Sequence, residues 1–292
     1  MAHSATEGLV EELSRLGRLH LQVRRLIDAS DLGAHAARGR LGGGDFIEHR
    51  AFQPGDEPNR IDWRASARND ALLMREQRAE RRLDVVVSID SSASMRSGEP
   101  VSKWRYACWL GLGVAYAARR AGDAADIRVG GGQPKARMRL RTVAELATVA
   151  DALEDVEPAG ITDLRADLEG LNASRQRGLL VVVSDLLSAE APFWQGLAHY
   201  RGLGWHVVVL RVLAQDELAF DYRGPVRFSG LEGEEPIIVD AGAMRAAYLD
   251  ELNRFDASCS DAAASAGARL LLCDTGRSPI EPLRHLLEAA LP

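Results

Sequence analysis

The chain has 292 residues, 46% of them hydrophobic and 27% charged, with a formal net charge of −6. That composition excludes a disordered chain, and the negative balance supplies no global pull toward nucleic acid or an anionic membrane. The length suffices for one large α/β domain plus an appended segment. Charge is uneven: residues 60–82 are rich in Arg and residues 214–256 in acid, which leaves room for a local basic patch. Cys108, Cys259 and Cys273 show no CxxC spacing, so neither a disulfide framework nor a zinc site is expected, and a reducing compartment fits. The opening MAHSATEGLVEELSRLGRL carries charge throughout and no apolar core like that of a signal peptide. No window approaches the roughly 18 continuous apolar residues of a spanning helix. The expectation is a cytoplasmic protein with no membrane insertion and no nucleic-acid partner.

In chain order, residues 6–28 have helical spacing, with Leu9, Leu13, Leu16, Leu19, Val23 and Leu26 recurring every three or four positions. The Gly-rich GAHAARGRLGGG of 33–44 reads as a connector. FIEHRAFQPGDEPNRIDWRASAR follows, with a turn signal at Pro54-Gly55-Asp56, and reads as irregular; its PGDEPNRIDW part reads either as an ordered loop packing Trp63 on the core or as a partner-facing segment. REQRAERR, 75–82, mixes signs and reads as a solvated edge strand or helix face. From Leu83 the pattern changes. Apolar runs at 83–89, 126–130, 178–184, 205–213 and 268–274 read as strands of a parallel sheet covered on both faces. Helical patterns lie between them at 102–121, 143–154, 164–175, 190–202, 243–265 and 280–290. Thr142 with Glu145 forms the sequence signature of a capping box. PVRF and PIIVD around Gly230 and Gly233 predict a β-hairpin inside 214–240. The fold expected is α/β: a doubly wound, mostly parallel sheet over 83–292, with the hairpin inserted and 1–82 as an N-terminal extension.

The chemistry gathers at strand ends. The first strand runs into Asp90-Ser91-Ser92-Ala93-Ser94, a DxSxS pattern. Thr162 sits in a loop before a helix, and Asp185 follows the strand 178–184. Ligands of open α/β sheets bind at the carboxyl ends of strands. Hydroxyls and carboxylates converging there suit a hard cation, Mg²⁺ above all, with Mn²⁺ or Ca²⁺ as alternatives. Asp163 reads as a helix-start carboxylate rather than a ligand. Gly130-Gly131-Gly132 lacks the Lys-Ser/Thr of a phosphate-binding loop. His49 has no companion and reads as structural, and Cys108 and Cys273 read as core residues.

These five positions resemble the metal-ion-dependent adhesion site of von Willebrand factor A domains. Together with FQPGDEPNRIDWRASAR, LDVVVSIDSSASM and GPVRFSGLEGEEPIIVDAGAMRAAYLDEL, they make the chain resemble the DUF58 family over roughly residues 20–290. The resemblance implies a von Willebrand A-type fold and a metal held by Asp90, Ser92, Ser94, Thr162 and Asp185. It implies Ser92 and Ser94 as direct ligands, Thr162 direct or through water, and the two carboxylates largely through water. It further implies an association with MoxR-type AAA+ ATPases in a chaperone-like or maturation system. Relatives often carry transmembrane helices near the N-terminus; the chain resembles the shorter members without them.

The function expected is a non-enzymatic, metal-dependent interaction module that docks an acidic residue of a protein partner, a MoxR-type AAA+ ATPase or its client. Arg60, Asp62, Arg64 and Arg68 are a second candidate docking strip, against the commoner outcome of solvated arginines. Two rival readings stand beside these. One is a Mg²⁺-dependent phosphohydrolase with Asp90 as nucleophile, which usually needs a second carboxylate where this chain has Ser92. The other is a scaffold with a non-functional metal site. No GxSxG elbow supports a serine hydrolase.

Overall fold

The computed structural model describes residues 46–53, 56, 61–69, 71–77, 84–120, 122–130, 136–169, 171, 178–229 and 235–288. The helix expected over 6–28, the connector 33–44, the Pro54-Gly55 turn, Arg60 and the hairpin residues Gly230 and Gly233 lie outside them. The described residues fall into two compact units, one within 27–82 and one within 83–292.

In the smaller unit, β1 (Phe46–Ala51) pairs antiparallel with β2 (Leu73–Gln77), and α1 (Trp63–Asn69) lies between them in sequence. The expectation of an irregular segment is corrected here, for a local reason. Asp62 Oδ1 accepts hydrogen bonds from the Arg64 and Ala65 amides at 3.1 and 3.0 Å, capping α1. Buried Ser66 donates to the Asp62 carbonyl at 2.7 Å and accepts from the Leu73 amide at 2.8 Å, tying the helix to β2. Trp63 is 65% exposed, so the reading in which it packs on a core does not hold.

The larger unit is built on a six-stranded sheet. Its strands are β3 (Asp84–Ile89), β4 (Ala124–Val129), β5 (Ala136–Leu140), β6 (Gly178–Ser184), β7 (His206–Leu213) and β10 (Arg269–Asp274). The order is β10-β7-β6-β3-β4-β5, parallel throughout except at β5. The doubly wound α/β expectation therefore holds. All five expected strands are present, with 126–130 observed as 124–129. β5 was not foreseen.

Both faces are covered, which is why the strands read as continuous apolar runs. Along β6, Leu179, Val181 and Val183 join a core with α2 (Lys103–Arg120), α3 (Leu146–Glu154) and α8 (Ile280–Glu288). Leu180 and Val182 join the opposite core with α4 (Leu164–Glu169), α5 (Ala191–Gly202) and α7 (Ala241–Ser265). Cys108 and Cys273 are buried as expected. The remaining segment holds α6 (Gln215–Ala219) and the foreseen hairpin, β8 (Pro225–Phe228) antiparallel to β9 (Ile237–Asp240). Phe220 stacks on Tyr248 and Phe228, joining α6, α7 and the hairpin. The capping box does not form. Thr142 makes no side-chain cap, and Glu145 turns back to accept from the Arg141 amide at 2.9 Å, leaving a 3-10 turn before α3. No helix among the described residues is long and apolar enough to cross a membrane.

Candidate metal centre

The winding reverses beside β3. The chain runs from β3 outward to β4 and β5, then returns to β6 on the other flank of β3 and continues to β7 and β10. At such a reversal the connections leave in opposite directions and open a crevice at the carboxyl ends. Asp90 follows β3 and Asp185 follows β6, so both acids stand at that crevice, 2% and 1% exposed.

Three loops are stitched together there. The Asp90 amide donates to the Val183 carbonyl at 2.9 Å. The Ala93 amide donates to the Gly160 carbonyl at 2.8 Å, and the Ala159 amide to the Ser91 carbonyl at 2.9 Å. These bonds hold the loop of Thr162 against the DxSxS loop. Within the latter, the Ser92 and Ser94 hydroxyls lie 2.9 Å apart. Asp90 accepts the Ser92 amide on Oδ1 at 2.8 Å and the Ser184 hydroxyl on Oδ2 at 2.7 Å. Thr162 is 2% exposed, and its hydroxyl has no hydrogen-bond partner among the described residues. Asp163 accepts from the Arg165 and Ala166 amides, both at 3.0 Å, and caps α4, matching its expected role.

Sequence reading missed the charged frame behind these oxygens. Lys103, the first residue of α2, is 1% exposed, and its ammonium lies 2.8 Å from both Asp185 Oδ2 and Glu217 Oε1. Burial alone would pull that ammonium down, but the two carboxylates outweigh it and hold it above its ordinary value. Glu217, on α6, accepts the Ala214 amide on its other oxygen at 2.9 Å, closing the start of that helix. Arg211, 2% exposed on β7, donates from Nε to the Asp185 carbonyl at 3.2 Å, pairs with Asp256 on α7 and lies 4.8 Å from the centre of the Phe255 ring. Burial lowers the guanidinium below its ordinary value. The sequence held one hint of this frame: a lysine opening a helix opposes the helix dipole and needs a partner.

Four of the five expected ligands, Asp90, Ser92, Ser94 and Asp185, are placed by these contacts at one crevice, and Thr162 is on the loop bonded to it. An unpartnered buried hydroxyl is costly, and the set offers hydroxyl and carboxylate oxygens, which fits a hard divalent cation. No group of three His, Cys, Asp or Glu side chains suited to a metal occurs among the described residues. Ile161 and Leu187, 70% and 63% exposed, flank the rim. In the smaller unit, Arg64 and Arg68 are exposed, while Asp62 is engaged as the α1 cap and Arg60 lies outside the described residues.

Uncharacterized proteins of Mycobacterium bovis and Mycobacterium tuberculosis are 28% identical over 180 residues, 59% of this chain and 56% of each relative. The chain thus spans about half the length of these curated relatives. Solved structures similar to it include an aerotolerance-related membrane protein of Bacteroides fragilis, with a TM-score of 0.46, 15% identity and coverage of 71% of this chain and 99% of that one. BatB of Bacteroides thetaiotaomicron has a TM-score of 0.43 and 13% identity, covering 72% and 97%. A von Willebrand factor type A protein of Catenulispora acidiphila has a TM-score of 0.43 and 12% identity, covering 75% and 44%. The family described as protein of unknown function DUF58 matches residues 48–257, well over half of the chain, and the chain belongs to that family.

Proposed function

We propose that the chain is a non-enzymatic interaction module that takes a divalent cation, Mg²⁺ first and Mn²⁺ or Ca²⁺ as alternatives, at the β3/β6 crevice. The observation that carries this reading is the buried, unpartnered Thr162 hydroxyl on a loop bonded to the Ser92/Ser94 pair. Ser92 and Ser94 would hold the cation directly, and Thr162 directly or through water. Asp90 and Asp185, whose oxygens already accept hydrogen bonds, would act largely through water. When bound, the cation supplies a Lewis-acidic position for an outside carboxylate. The Ser184 hydroxyl and the Ser92 amide fix the Asp90 carboxylate, and Lys103 fixes that of Asp185. Both oxygens of Asp90 being engaged weighs against its use as a phosphohydrolase nucleophile. A non-functional scaffold would have no use for the unpaired hydroxyl.

The proposed partner is a MoxR-type AAA+ ATPase or its client, presenting an Asp or Glu. The exposed Ile161 and Leu187 beside the rim would bury apolar surface around that acid. The reading keeps the chain in the cytoplasm, a setting that suits three buried thiols without disulfides. Calorimetry with Mg²⁺ and Mn²⁺ tests the cation: one site in the wild type, none after Ser92→Ala with Ser94→Ala, and equal affinity in both would exclude it. Binding of the candidate ATPase, measured with saturating and chelated Mg²⁺, tests the partner. Chelator-insensitive binding that only an Arg60/Arg64/Arg68 triple-Ala variant loses would move the function to the smaller unit.

A further inference from the structure

The proposed function uses Lys103 only to fix the Asp185 carboxylate and leaves its second partner, Glu217, without a part. Lys103 begins the 18-residue helix α2, where the dipole disfavours a cation, and burying a lysine costs roughly 2 kcal/mol of rotamer freedom. It is nevertheless fixed between Asp185 Oδ2 and Glu217 Oε1, 2.8 Å from each. The other Asp185 oxygen accepts the Leu187 amide at 3.2 Å, and the Asp185 carbonyl accepts from Arg211. Asp185 is thus held at both oxygens and at its backbone. Glu217 is anchored in turn, to the Ala214 amide at 2.9 Å and against the Ser97 hydroxyl at 3.4 Å. Ser97 reaches back to the Ser94 carbonyl at 2.8 Å. The ammonium is therefore a rigid part of the rim.

We infer that Lys103, steadied by Glu217, is a specificity-determining residue of the cation site: it withholds Asp185 Oδ2 from coordination and so favours Mg²⁺ over Ca²⁺. The inference rests on the cation reading given above. Ca²⁺ takes 6–8 oxygens and draws on bidentate carboxylates, whereas Mg²⁺ keeps several of its waters and needs few protein ligands. A carboxylate with one oxygen committed to an ammonium cannot serve as a bidentate ligand. It can still accept a hydrogen bond from a cation-bound water. The same crevice without the ammonium would offer the larger ion one more carboxylate oxygen.

The test is calorimetric affinity of the full chain for Mg²⁺ and for Ca²⁺, with circular dichroism to verify folding. The ratio of the two affinities is the readout, because a through-space change of charge acts on both divalent ions alike. Lys103→Met should tighten Ca²⁺ binding by about 10-fold, a typical size for a residue that orients a ligand, with a smaller gain for Mg²⁺. Glu217→Gln leaves the ammonium wholly to Asp185 and should raise the preference for Mg²⁺. This second variant decides the matter if Lys103→Met does not fold, since it retains the Lys103–Asp185 pair. An unchanged ratio in the folded variants overturns the role of Lys103 while leaving the cation reading intact. Absence of any Mg²⁺ or Ca²⁺ binding to the wild type overturns the cation reading and this inference together.

Discussion

At Thr162 the proposed cation reading separates stability from function at one atom. A buried hydroxyl without a partner costs about 1–3 kcal/mol, and Thr162→Val removes it with little change of shape. In chelator the variant should therefore unfold at a higher temperature than the wild type, by up to a few degrees. Its affinity for Mg²⁺ should fall. A merely structural threonine would show both effects in the same direction or neither, so calorimetry and thermal unfolding on one variant suffice. Asp185→Asn belongs with it: the amide keeps the shape, removes the charge facing Lys103 and should weaken cation binding by roughly 10–100-fold. The thiols supply a control on folding. Burial pushes Cys273 up to about 12 and Cys108 higher still. Neither should react with an alkylating reagent at neutral pH until the larger unit unfolds, and rapid labelling under native conditions would contradict the described packing.

At the scale of elements, Gly178 shows how tightly β6 sits against its neighbour. A Cβ there would lie 2.2 Å from the Asp84 carbonyl oxygen and 2.6 Å from the Trp205 ring. Backbone cannot give way as a flexible side chain can. Gly178→Ala should cost roughly 1–3 kcal/mol in denaturant unfolding, and a wild-type midpoint would show that β3 and β6 are not so closely apposed. β6 is also where the sequence is most readable, because GLLVVVS is buried along its whole length and no helix pattern competes. β5 was illegible for the opposite reason. As an edge strand its exposed side carries Arg137 and Arg139, which pair with Asp126 on β4, so ARMRL lacks a continuous apolar run. The capping box at Thr142 failed because Glu145 found the Arg141 amide instead. α6 is five residues long, below the length at which periodicity registers. Asp90, Ser92 and Ser94 stood out in the sequence because the DxSxS spacing is local, and Asp185 because it directly follows a wholly apolar strand. Lys103 and Glu217 were not, being 114 residues apart and joined only by the winding of the sheet.

Across the whole larger unit, the proposed cation would have little folding work to do. The sheet is packed on both faces by separate clusters of buried apolar side chains, and neither cluster includes a side chain proposed as a ligand. In this respect the unit differs from a small metal-dependent domain, whose binding energy is its folding energy. Lys103 also keeps the Asp185 charge paired without a divalent ion. The cation should then stabilise by simple linkage, about 2.7 kcal/mol at a free concentration near 100 times Kd. For a unit of this size that corresponds to a rise of roughly 5–10 °C in Tm. Chelation should reverse the rise and leave the far-ultraviolet circular dichroism of the folded chain unchanged. Ser92→Ala with Ser94→Ala should give the chelated Tm at every Mg²⁺ concentration. Loss of secondary structure on chelation would mean that the three loops hold together only around the cation, and that the amide bonds linking Ala93 to Gly160 and Ala159 to Ser91 do not suffice to fix the rim.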